Sequence, residues 1–144
     1  MRTRCIAFLL FLPLLLAAPA AAEAPAWDQQ RVSRLADRLV KALEALLTDP
    51  ELHAQQGTAM QQREHEAAIA TANELGRRAV NFKTRIEIGY SEEDSKPFWD
   101  EIDELRGDIQ AYARHSWLPP ETDAKADRVS ELLDELALYY SDDR

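Results

Sequence analysis

Two histidines and one methionine are the residues of this chain best suited to bind a cofactor. His65 lies on the apolar stripe of the second of four predicted helices, and His115 flanks the stripe of the third. Counted from the turn that joins these helices, the two positions differ by 5 residues, or about 7 Å along the axis. The imidazoles can therefore share one layer and bind a b-type haem, with Met60 as a further ligand about a turn away. The alternative is that His65 is hydrogen-bonded near the end of the fold and His115 lies at the surface, which are commoner roles for histidine.

Four carboxylates crowd one face of the third predicted helix, next to a tryptophan. They are Asp100, Asp103, Glu104 and Asp108. Their three- and four-residue spacing places like charges side by side, so that they repel one another. We expect this face to bind a protein partner, with Trp99 as its anchor if that side chain is exposed. Packing in the core or at the rim is the default alternative for the adjacent Phe98 and Trp99, which cannot both point fully inward.

A structural alternative explains the same carboxylates, and it is the commoner arrangement. Basic residues of the second helix would pair with them between the helices and serve only the fold. The candidates for this role are Arg77, Arg78, Lys83 and Arg85.

The excess negative charge is confined to the second half of the chain. Residues 23–85 hold 9 basic and 9 acidic residues, whereas residues 86–144 hold 6 basic and 17 acidic residues. Such a surface repels nucleic acid and anionic membranes, so neither is an expected partner. It would attract a cationic ligand, metal ions or a basic protein, although a solvated face that keeps the protein in solution is the simpler explanation.

The N-terminal segment has the features of a secretory signal. Arg2 and Arg4 precede an apolar run over residues 6–17, and residues 20–22 are alanines suited to cleavage. The run is too short to span a membrane, and Cys5 precedes it, whereas a lipoprotein signal has its cysteine at the end. We therefore predict a signal peptide at 1–22 and a periplasmic or secreted domain at 23–144, without cysteine or an integral membrane anchor.

Apolar periodicity predicts four helices in the mature part. The first covers about 28–47 and the second about 58–88. The third begins after a cap at Ser95, and the fourth begins after a cap at Thr122 or Asp123. From His65 to Ile86 the second helix alternates three- and four-residue steps without error. Its first half is rich in alanine, which allows close helix packing, the commoner outcome, or leaves room for a ligand. Short connections between amphipathic helices predict an all-α, antiparallel up-down-up-down four-helix bundle.

An exported four-helix bundle is similar in architecture and compartment to the cytochrome b562 and cytochrome c′ families, which bind haem. Cytochromes c′ attach haem through Cys-x-x-Cys-His near the last helix, where this sequence reads LALYY at residues 136–140. Cytochrome b562 uses a methionine of the first helix and a histidine of the last, and neither helix has that residue here. The resemblance therefore transfers no ligand, and haem b is an alternative rather than an expected cofactor.

The sequence motifs of common active sites are missing. There is no Glu-x-x-His pair for a di-iron site, no His-x-x-x-His zinc signature, no EF-hand loop, no glycine-rich phosphate loop and no Gly-x-Ser-x-Gly elbow. We therefore predict no enzymatic activity, no metal site and no resident cofactor. The expected function is that of an exported accessory protein that binds a protein partner, or a second copy of itself, through the acidic face of the third helix.

Overall fold

The computed structural model of the protein describes residues 25–54, 57–113 and 118–141, with only the backbone for residues 112 and 113. It contains four α-helices: α1 (Gln29–Leu47), α2 (Ala59–Glu87), α3 (Glu92–Ala113) and α4 (Pro120–Ala137). A short 3-10 helix, Pro50–His53, follows α1. The predicted all-α class is confirmed, and the described ranges contain no β-strand. The predicted signal peptide and His115 lie outside the described residues.

The helices pack around one apolar core. α1 and α3 each contact both α2 and α4, and the contact between α3 and α4 is the thinnest of the four. Gln29 Nε2 donates to the carbonyl of Ile86 at 2.6 Å near the start of α1, while Leu47 at its end approaches Gly76. These two contacts indicate that α1 and α2 run antiparallel, and the helix contacts as a whole are consistent with a bundle. The up-down-up-down order of the four helices stays a prediction.

The buried stripe of α2 follows the predicted spacing. Its buried residues are Ala72, Leu75, Ala79, Phe82 and Ile86. α1 contributes six buried residues to the same core: Val32, Leu35, Ala36, Leu39, Leu43 and Leu46. Removal of this apolar surface from water, at about 25 cal/mol per Å², is the main force that holds the helices together.

The turn between α2 and α3 depends on a glycine and a serine. Gly89 has a φ of 98°, and the Tyr90 and Gly89 amides donate to the carbonyls of Arg85 and Ile86, which forms a Schellman motif. Ser91, rather than the predicted Ser95, then caps α3, because its Oγ accepts from the Asp94 amide at 3.2 Å. The predicted cap at Ser95 is wrong, since Ser95 lies inside the helix and is fully buried.

A buried carboxylate joins the end of α1 to the start of α4. Asp49 is 5% exposed, and its Oδ2 accepts from Thr122 Oγ1 at 3.0 Å and from Lys125 Nζ at 2.7 Å. The hydrogen bond from Lys125, with a further one from the Glu51 amide, lowers the pKa of Asp49. The predicted cap at Thr122 or Asp123 is wrong, since both residues lie inside α4, which begins after Pro119 without a side-chain cap.

An aromatic cluster closes the opposite end of the bundle. Trp27, ahead of α1, makes edge-to-face contacts with Tyr139 and Tyr140, which follow α4, at 6.3 and 5.7 Å between ring centroids.

None of the helices in the described ranges combines the length and hydropathy needed to cross a membrane.

Candidate functional site

Trp99 lies in the core rather than on the exposed side of α3. It is 3% exposed, and its ring stacks on that of Tyr140, with the centroids 5.3 Å apart and the planes at 11°. Core packing, the default alternative for this residue, is confirmed, and the alternative of an exposed anchor is wrong. The reason is the rotation of α3 about its axis, which turns Trp99 inward with Ile102 and leaves Phe98 half-buried at the edge of the core.

The four carboxylates named from the sequence are all exposed on α3, and we call them the acidic face: Asp100, Asp103, Glu104 and Asp108. Two of them pair with bases of the same helix. Lys96 Nζ lies 3.3 Å from Asp100 Oδ1, and Arg106 Nε lies 3.2 Å from Asp103 Oδ1. Glu104 and Asp108 form no ion pair with any residue in the described ranges. Half of the carboxylates of the face are therefore without a compensating base among the described residues.

The basic residues of α2 do not neutralise the acidic face. Arg77 pairs with Glu74 on its own helix, and Lys83 Nζ reaches Asp37 of α1 at 3.0 Å. Arg85 lies over the rings of Tyr90 and Phe98.

Arg78 is the exception, since its Nη1 lies 2.7 Å from Glu101 Oε2 on α3. Its hydrogen bond to Glu74, together with the charge of Glu101, raises the pKa of Arg78. Glu101 is not part of the acidic face. The expected pairing between α2 and the carboxylates of α3 is therefore found at Glu101, whereas no base of α2 pairs with Asp100, Asp103, Glu104 or Asp108 in the described ranges.

Of the proposed haem ligands, His65 and Met60 lie within the described residues. The Nε2 of His65 lies 2.5 Å from the carbonyl oxygen of Leu52, and since a carbonyl can only accept, this nitrogen carries the proton. Met60 is 71% exposed on the first turn of α2. His115 lies outside the described residues, so its part in the haem alternative stays a prediction. Within the described ranges, no group of three or more His, Cys, Asp and Glu side chains could hold a metal ion.

A cleft of about 400 Å³ opens at the thin contact between α3 and α4. Its floor is apolar and includes residues of all four helices: Leu43, Leu46, Ala72, Ile109, Val129 and Leu133. Its rim includes Arg106 of α3 together with Asp123 and Asp127 of α4. A smaller cavity of about 50 Å³ shares Leu46, Ala72, Ile109 and Ala126 with the cleft and is also lined by His65.

Sequence analysis did not identify this cleft. The alanine-rich first half of α2 was the available signal, because Ala68 and Ala72 line the space where longer side chains would fill it. We expected these alanines to allow close packing, whereas they border open volume. The position of the rim carboxylates on α4, opposite Arg106, depends on helix rotation and could not be derived from spacing alone.

Comparison of the chain with protein-family models, with curated proteins and with solved structures gives no match.

Proposed function

We propose that the chain is an exported binding protein that engages a basic protein partner through the acidic face. The observation that supports this most directly is the exposure of Asp100, Asp103, Glu104 and Asp108 along one side of α3. Asp100 and Asp103 pair with bases of the same helix, and Glu104 and Asp108 have no ion-pair partner in the described ranges. Like charges at this spacing cost stability, and binding of a cationic surface offsets that cost.

The burial of Trp99 changes the character of the proposed contact. Without an aromatic anchor, the acidic face offers charge complementarity, which raises association rates and selects partners by sign more than it adds affinity. Salt screens such a surface, with a Debye length of about 8 Å at physiological ionic strength. We therefore propose a partner whose contact surface is rich in lysine and arginine and whose binding weakens as salt rises.

The export step rests on the sequence of residues 1–22 and is tested separately. Mass spectrometry of the protein recovered from the periplasm or the medium should give an N-terminus just after Ala22 or Ala24. Recovery of intact Met1 from that material, or of a lipid-modified mass, would contradict a cleaved secretory signal.

Charge reversal tests the acidic face. Glu104→Lys combined with Asp108→Lys breaks no ion pair seen in the described ranges, so the fold should be retained. The matched control is Glu64→Lys combined with Glu66→Lys, which makes the same change in charge at exposed positions of α2. Each protein is immobilised and exposed to the extracytoplasmic fraction of its source cells, and the captured proteins are quantified by mass spectrometry.

We expect the parent protein and the α2 control to enrich the same basic proteins, and the α3 variant to lose them. Raising the salt concentration from about 0.05 to 0.5 M should release them from the parent protein. Capture of an unchanged set by the α3 variant, with the fold intact by circular dichroism, would show that the acidic face is only a solvated surface.

A further inference from the structure

We propose that the cleft between α3 and α4 binds a small amphipathic organic cation. The apolar body of the ligand would lie on the floor of the cleft, and its positive group would lie between Asp123 and Asp127 at the rim. This site is separate from the acidic face and does not depend on the proposed protein partner.

The volume and the floor of the cleft suit an apolar body. About 400 Å³ lies within the range of pockets that hold small molecules. Ala72 and Ile109 belong both to this floor and to the adjoining cavity beside His65. The small side chain of Ala72 therefore leaves room beside the thin contact between α3 and α4. A ligand in this space would cover core residues of α1 and α4.

The charge at the rim determines the sign of the ligand. Asp123 and Asp127 are one helical turn apart, are exposed, and form no side-chain hydrogen bond or ion pair with a residue in the described ranges. Lys125 and Arg128 of the same helix are engaged elsewhere, by Asp49 and by Glu131. Neither lines the cleft, so α4 presents two uncompensated carboxylates to it.

Of the described residues that line the cleft, Arg106 is the one that is basic. It forms ion pairs with two further carboxylates. Its Nε lies 3.2 Å from Asp103 Oδ1, and its Nη1 lies 3.4 Å from Asp134 Oδ1. An anionic ligand would have to compete with both of these and would also approach Asp123 and Asp127. A cation meets no such opposition, because the charge of Arg106 is already compensated.

Three probes with the same hydrocarbon chain separate the role of charge from that of the apolar floor. Octylammonium, octanol and octanoate are titrated below their aggregation limits into the full mature protein, and binding is followed by calorimetry and by NMR. We expect octylammonium to bind saturably and octanol to bind more weakly. Octanoate should bind at least about tenfold more weakly than octylammonium, a difference of about 1.4 kcal/mol, because the rim carboxylates attract the ammonium group and repel the carboxylate.

Two variants and one control locate the ligand. Asp123→Asn with Asp127→Asn should weaken octylammonium binding by about tenfold and leave octanol binding unchanged. Glu64→Gln with Glu66→Gln removes the same charge from α2 and should change neither. Ala126→Leu, at a half-buried position shared with the smaller cavity, should fill the space and weaken both ligands together.

Several results would overturn the proposal. Equal binding of octylammonium and octanoate would exclude charge selection at the rim. Full affinity in the Asp123/Asp127 variant or in folded Ala126→Leu would place the ligand elsewhere. A parent protein that binds none of the probes, and that elutes as a dimer which Ala126→Arg dissociates, would mean that a second copy covers the cleft.

Discussion

The hydroxyl of Tyr140 lies 2.8 Å from Oγ of Ser95, across 45 residues of sequence. The Ser95 hydroxyl also lies 2.6 Å from the carbonyl oxygen of Ser91, and because that carbonyl can only accept, Ser95 donates to it and accepts from Tyr140. Burial raises the pKa of the Tyr140 phenol far above its ordinary value, so that it keeps its proton and remains the donor. A single hydrogen bond thus ties the start of α3 to the residues after α4.

Removal of the Tyr140 hydroxyl should cost much less than removal of its ring. Tyr140→Phe leaves Ser95 bonded to the Ser91 carbonyl, and we expect a loss of about 0.5–1.5 kcal/mol. Tyr140→Ala also removes the stacking on Trp99 and should cost about 3–5 kcal/mol. Urea unfolding followed by circular dichroism measures both. Similar losses in the two variants would show that the hydrogen bond, and not the ring packing, dominates.

Leu75 should be a major contributor to the free energy of unfolding. Its side chain is fully buried, and Leu75→Ala should cost about 2–5 kcal/mol through lost transfer energy and a residual cavity. Val80 lies on the same helix but is 50% exposed, so Val80→Ala is the matched control and should change stability by less than about 0.5 kcal/mol. Comparable effects at the two positions would contradict the orientation of α2.

Two glycines should respond to alanine in opposite directions. Gly107 lies inside α3, where an added Cβ would meet open space, and Gly107→Ala should stabilise the protein by about 0.5–1 kcal/mol. Gly89 has a φ of 98°, which an L-residue adopts at a cost, so Gly89→Ala should destabilise the protein by about 1–2 kcal/mol. Thermal unfolding of both variants tests the signs, and a loss of stability in Gly107→Ala would be contrary to a regular α3.

Acid should weaken the interaction of Asp49, at the end of α1, with Thr122 and Lys125 of α4. Because the pKa of Asp49 is lower in the folded protein, its contribution is complete above the unfolded value of about 3.9 and is lost as pH falls through the folded value. Urea midpoints of the parent protein should therefore drop as pH decreases below about 4.

Asp49→Asn should lower the midpoint at pH 7 and flatten this acid dependence, because the pairing with Lys125 no longer titrates. Asp100→Asn alters an exposed carboxylate of the acidic face and should follow the parent protein. An acid dependence of Asp49→Asn as steep as that of the parent would assign the effect to other carboxylates with lowered pKa, such as Asp37 and Glu74.

The sequence predicted the interior of α2 better than its first turns. From Ala72 to Ile86 the regular stripe is buried as expected, because α1 covers it along that length. His65 and Ala68 follow the same spacing but are half-buried, since α2 there extends past Leu47 and packs on the 3-10 helix instead. Periodicity identifies a face of a helix, and the length of the neighbouring helix decides how much of that face is covered.

The start of α3 shows why the candidate site could be predicted only in part. The spacing predicts a stripe that begins at Phe98, four residues before Ile102, whereas the structure buries Trp99, three residues before Ile102. Both steps occur along a helical stripe, so spacing alone could not decide which ring is buried. The deciding contacts come from Phe82 and Tyr140, which are distant in sequence. The carboxylates were predicted correctly as exposed because charged side chains without buried partners stay in water.

The contact of Trp27 with Tyr139 and Tyr140 has a consequence for the order in which the protein folds. A chain that emerges N-terminus first, from a ribosome or a translocation pore, presents α1 long before those tyrosines. The aromatic cluster at this end, and the bond from Tyr140 to Ser95, cannot form until nearly the whole chain has been released. We therefore expect this end of the bundle to form only after α4 has been released, which would be compatible with the export proposed above.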